Sequence, residues 1–71
     1  MGDVAVRNRL KEIRHDHRMN QIEFAEYIGA ARQLYNRWEN QTTQPSLEWV
    51  LRIAKRTGRP VEDIVYLEEP G

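Results

Sequence analysis

The chain has no cysteine. Disulfides and thiolate metal sites are excluded, so the fold must stand on its own apolar core. Histidine is scarce as well: His15 and His17 are the only two. On a helix, residues two apart point about 200° away from each other, so this pair cannot grip one ion. No metal and no cofactor is expected. No set of acids, bases and nucleophiles is spaced for catalysis either, which argues against an enzyme. No apolar run approaches the ~20 residues of a membrane span. The opening MGDVAVRNRL lacks the apolar segment of a secretion signal. The expectation is a cytoplasmic protein with no membrane contact. Net charge is zero, since eleven Lys and Arg balance eleven Asp and Glu. Taken alone, that balance argues against a nucleic-acid partner.

The distribution of charge changes that view. Residues 1–61 hold all 11 Lys/Arg and 7 of the 11 Asp/Glu, an excess of four positive charges. Residues 62–71 hold Glu62, Asp63, Glu68 and Glu69 and no base. A basic body with an acidic tail is a functional asymmetry. Seventy-one residues make one small domain, with a core at about 4–66 and residues 67–71 as a short acidic tail. A chain this short buries only about 60% of its unfolded surface. A surface-recognition task therefore suits it better than a deep cleft.

The apolar pattern predicts an all-α bundle of five helices. In the first, Val4 to His17, Val6, Leu10 and Ile13 fall on one face and Asp3 is placed to cap the start. Its other faces are basic, with Arg7, Arg9, Lys11, Arg14 and Arg18. The second opens on a capping box, Asn20 with Glu23, and a staple of Met19 on Phe24. Phe24, Ala25 and Ile28 point inward, and Gly29 ends it. After Ala30-Ala31 the third helix runs from Arg32 to Glu39. A short turn containing Gly between two short helices is the helix-turn-helix pattern.

The third helix divides cleanly. Tyr35 and Trp38 face the core, while Arg32, Gln33, Asn36 and Arg37 fall on the other side with Leu34 at the boundary. The outward side is rich in groups that hydrogen-bond base edges. A polar loop from Asn40 to Pro45 follows. Ser46 caps a fourth helix with a core stripe of Leu47, Val50, Leu51 and Ala54 and a second stripe of Trp49 and Ile53. Gly58 stops it. Pro60 opens a fifth helix whose apolar side is Val61, Ile64 and Val65.

These stretches resemble the phage-repressor type of helix-turn-helix domain, the group of the lambda and 434 repressors and Cro, often called the XRE family. The resemblance rests on NRLKEIR, NQIEFAEYIG, ARQLYNRWEN, QPSLEWVLRIAKRTG and PVEDIV, in that order and spacing, from about Arg7 to Val65. It implies a compact lambda-repressor-like bundle that binds double-stranded DNA. Arg32, Gln33 and Arg37 match base-reading positions, with Asn36 on the same side. Gln21 and Asn40 match phosphate-contacting positions, and Thr42 and Thr43 extend that set. Arg14 and Glu39 match an ion pair between the first and third helices. Four positions depart from the pattern: Ala31 for a capping Ser or Thr, Leu34 for a small or polar residue, Tyr35 for an aliphatic, and Gln41 for Gly.

The resemblance further implies a transcriptional regulator, a repressor by preference, acting as a homodimer on a palindromic operator. Trp49, Ile53, Ile64, Val65, Tyr66 and Leu67 are the apolar surplus available for the dimer interface. Two other readings stand beside it. One is an antitoxin or restriction-modification controller that also binds a partner protein. The other is a protein-interaction domain without DNA binding, which the retained Arg32, Gln33 and Arg37 argue against.

Overall fold

The computed structural model describes residues 5–69. Five helices and one two-stranded sheet follow in the order β1 (Ala5–Asn8), α1 (Leu10–Asp16), α2 (Gln21–Ile28), α3 (Arg32–Glu39), α4 (Leu47–Thr57), α5 (Val61–Ile64) and β2 (Val65–Glu68). The five expected helices are present. The all-α expectation is corrected by the sheet, which pairs the two ends of the chain. β1 and β2 run antiparallel, with Val6 opposite Leu67 and Asn8 opposite Val65.

The first helix is therefore shorter than its pattern suggested. Val6, Leu10 and Ile13 suit one helix face, but only Leu10 and Ile13 are buried, and Val6 is exposed. Val65 and Tyr66 supply β-branched and aromatic residues to pair against, so residues 5–8 run as a strand beside β2 instead of extending the helix. The Asn8 side chain opens α1, its Oδ1 accepting from the Leu10 N–H at 3.1 Å. Asp3, the expected cap, lies outside the described residues. Val65, expected in the fifth helix, is the first residue of β2.

The central pair of helices follows its local rules closely. The Asn20 side chain accepts from the Glu23 N–H at 2.8 Å, and the Glu23 carboxylate accepts from the Asn20 N–H at 2.9 Å. Both free donors are satisfied reciprocally, so Asn20→Ala is expected to lower stability by about 1 kcal/mol in urea denaturation. Gly29 ends α2 at φ 80°, a left-handed conformation that suits glycine. Ala31, in extended conformation, stands at the N-cap of α3 and gives it no side-chain cap.

The core gathers Leu10, Ile13, Phe24, Ala25, Ile28, Tyr35, Trp38, Val50, Ile53 and Ile64. An aromatic path runs through it. Phe24 meets Tyr35 at 5.6 Å between ring centroids, Tyr35 meets Trp38 at 6.4 Å, and Trp38 meets Trp49 edge-on at 5.3 Å. That last contact decides the rotation of α4. Val50 and Ile53 are buried and Trp49 is half-buried, whereas Leu47 and Leu51 are 71% and 53% exposed. The expected core stripe of α4 is thus turned toward Trp49 and Ile53. Both stripes fit a 3.6-residue period, and the indole of Trp38 selects between them. Among the described residues, no helix is long and apolar enough to cross a membrane.

Candidate nucleic-acid interface

The outer side of α3 is an open cleft of about 580 Å³ lined by Arg32, Gln33, Asn36 and Arg37. Sequence reasoning put these four on one face, and the structure brings them together. Arg32, Gln33 and Arg37 are exposed. Neither arginine joins an ion pair among the described residues. Two unpaired guanidiniums and one amide project from a rigid helix whose opposite side, Tyr35 and Trp38, is fully buried. Such forks suit the paired acceptors of guanine and the donor-acceptor edge of adenine.

Asn36 is placed differently from its neighbours. It is half-buried, and its amide is engaged at both ends. Nδ2 donates to Gln21 Oε1 at 3.1 Å, and Oδ1 accepts from Asn40 Nδ2 at 3.0 Å. Gln21 in turn donates from Nε2 to Glu39 Oε1 at 3.0 Å. A relay of amides therefore runs from the Glu39 carboxylate through Gln21 and Asn36 to Asn40. A carboxylate only accepts, so it fixes which way each amide in the chain points. Gln21, at the first turn of α2, and Asn40, at the end of α3, both keep unused hydrogen-bonding capacity. Thr42 and Thr43 are exposed on the loop beyond, with their N–H groups donated to the Arg37 carbonyl at 2.9 and 3.4 Å.

The relay is anchored by an ion pair. Arg14 donates from Nε and Nη2 to the two Glu39 oxygens, each at 2.9 Å, and from Nη1 to the Met19 carbonyl at 3.1 Å. The side chains are only 12% and 4% exposed. Arg14 is thus removed from the basic outer face expected of the first helix. Burial alone would raise the Glu39 carboxyl. Hydrogen bonds from Arg14 and Gln21, with the guanidinium charge, outweigh burial and hold it below the ordinary 4.5. The bond to Glu39 raises Arg14 in turn, against its own desolvation. Tyr35 is raised chiefly by burial, which keeps its hydroxyl neutral and donating, here toward the Leu10 carbonyl at 3.5 Å.

The expected dimer residues divide. Ile53 and Ile64 are fully buried and contribute nothing to an outer surface. Trp49 is half-buried against Trp38. Val65 and Tyr66 are half-buried in β2, where Arg9 stacks 4.0 Å over the Tyr66 ring. Leu67 stays exposed, as do Leu47 and Leu51, which were expected in the core. The acidic tail is partly spent internally, because Glu68 pairs with Arg7 at 3.1 Å.

Sequence reasoning missed Asn8, Gln41 and Gln44, which form a polar cluster centred on the buried Asn8, with both glutamines half-buried. Gln41 in the place of a customary glycine was the available hint: its φ is 61°. Asn8 offered none, because its role depends on a strand that local pattern did not reveal.

Two short helices packed about a glycine turn, the second presenting an outward polar face with two exposed arginines, define a helix-turn-helix protein. The chain belongs to the helix-turn-helix family, whose match spans residues 10–64. It is 34% identical over 64 residues to an uncharacterised helix-turn-helix-type transcriptional regulator of Methanocaldococcus jannaschii, covering 90% of this chain and 97% of that protein. It is 33% identical over 58 residues to RstR of Vibrio cholerae, a transcriptional repressor of the cryptic phage CTXphi, covering 82% of this chain. The chain spans 52% of the length of that repressor. A crystal structure from Bacteroides fragilis, described as a candidate DNA-binding protein, superposes with a TM-score of 0.75 over 87% of this chain and all of that one. At 21% identity that likeness shows the fold.

Proposed function

We propose that this helix-turn-helix protein is a DNA-binding transcription regulator that represses by occupying a palindromic operator as a homodimer. α3 enters the major groove, where Arg32, Gln33, Asn36 and Arg37 meet base edges. Gln21, Asn40, Thr42 and Thr43 hold phosphates and set the register. The N-terminus of α2 points its free amides toward the same backbone. DNA as target implies a cytoplasmic site of action.

One observation carries the reading. α3 is anchored on its inner side by Tyr35, Trp38 and the Arg14–Glu39 pair, while its outer arginines join no ion pair among the described residues. The two named relatives are transcriptional regulators, one of them a phage repressor, which favours regulation and repression. Exposed Leu47 and Leu51 on α4, and Val6 opposite Leu67 on the sheet, supply apolar surface for a second copy.

Selection of bound duplexes from random DNA tests the proposal. The expected result is an inverted repeat with half-sites about one helical turn, ~34 Å, apart. Enrichment of no sequence at moderate salt would remove the regulator reading. Enrichment of a lone half-site would remove the dimer.

A further inference from the structure

One polar knot joins the β1–β2 ladder to the loop after α3. Its centre is Asn8, the one polar residue fully buried among the described residues. Asn8 Nδ2 donates to the Trp38 carbonyl in the last turn of α3 and to Gln44 Oε1, both at 2.7 Å. Gln41 closes the knot from the other side. Its Nε2 donates to the Asn8 carbonyl at 2.9 Å, and its Oε1 accepts from the Asn8 N–H at 3.2 Å and from Gln44 Nε2 at 2.9 Å. The Gln41 amide thus exchanges both bonds with one residue of β1, as the residue opposite does in an antiparallel ladder.

Gln41 makes these bonds from a left-handed backbone, φ 61°, which glycine adopts freely and side chains rarely. A strained conformation persists only where its surroundings hold it; here the Gln41 side chain holds it to β1, beside the backbone bonds of residues 41–43 to the Trp38 and Arg37 carbonyls. The loop it holds runs over residues 40–44 and contains Asn40, Thr42 and Thr43. We infer that Gln41 is a positioning residue for DNA docking: with Asn8 it clamps this loop to the paired chain ends and keeps its phosphate-facing side chains in register with α3. The inference rests on the DNA-binding reading above.

Gln41→Gly tests it, because glycine relaxes the backbone while deleting the clamp. Gln41→Asn is the second variant: asparagine tolerates the left-handed region but is one methylene too short to reach Asn8. Gln41→Gly, in which the relaxed backbone offsets the lost bonds, is expected to keep a thermal midpoint close to that of the parent, and Gln41→Asn to lower it by a few degrees. Affinity for the selected duplex should fall about tenfold, the loss of one or two loop contacts. Phosphate-ethylation interference opposite the loop should vanish while guanine-methylation interference opposite Arg32 and Arg37 persists. Parental affinity with an unchanged interference pattern would overturn the inference. So would a fall in thermal midpoint with base and phosphate contacts weakened alike, since the clamp would then serve only the fold. If the parent chain itself enriches no DNA, the underlying reading has failed before any variant is made.

Discussion

Glu39→Ala is expected to remove about 3–5 kcal/mol of folding stability, measured by chemical denaturation at neutral pH. The loss arises from the guanidinium left behind. Arg14 is 12% exposed, always charged, and satisfied chiefly by the two Glu39 oxygens. Removing the carboxylate leaves a desolvated charge with only the Met19 carbonyl as acceptor. A small domain has about 5–15 kcal/mol in total, so the variant should sit near the edge of folding. The cost also depends on pH. The Glu39 carboxyl is held below 4.5 in the fold, so its contribution is complete above the unfolded value and is lost as pH falls through the folded one. The difference between parent and variant should therefore be constant from neutral pH to about 4.5 and shrink in stronger acid. A difference that stayed constant down to pH 3 would show that Glu39 does not carry the ionised partner role.

Arg37→Ala should lower affinity for the selected operator by about tenfold and erase the preference at one base position in each half-site. Its guanidinium is exposed and joins no ion pair among the described residues, so the variant should fold as the parent does. The backbone carbonyl of residue 37, which caps the loop through the N–H groups of Thr42 and Thr43, survives the substitution. Fluorescence anisotropy and a repeated selection would measure the two effects. Loss of affinity spread evenly over all sequences would reassign Arg37 to a phosphate. An unchanged affinity and motif would show that α3 docks by another face.

Much of the central unit was legible in the sequence because its information is local. Asn20 and Glu23 cap each other three residues apart, Gly29 must take a left-handed φ, and Tyr35 and Trp38 lie three apart on one helix face. The boundaries of α3 and its division into inner and outer sides followed from these. The Arg14–Glu39 pair was legible only through the family resemblance, because the partners are 25 residues apart and neither residue alone announces a burial site. The face of α4 was misjudged for a related reason. Leu47 and Leu51 are as apolar as Val50 and Ile53, and hydropathy cannot say which stripe meets the Trp38 indole.

The sequence by itself determined the five helices, the glycine turn between α2 and α3, and the polar face that carries Arg32, Gln33, Asn36 and Arg37. Capping, periodicity and glycine's conformational freedom all act within a few residues, so they are written where they operate. Only the tertiary structure decided that residues 5–8 and 65–68 pair as β1 and β2, that Ile53 and Ile64 are core, and that Asn8, Gln41 and Gln44 tie the sheet to the end of α3. Those choices compare partners far apart in the chain, and a burial or hydrogen bond between distant residues exists only once packing has brought them together.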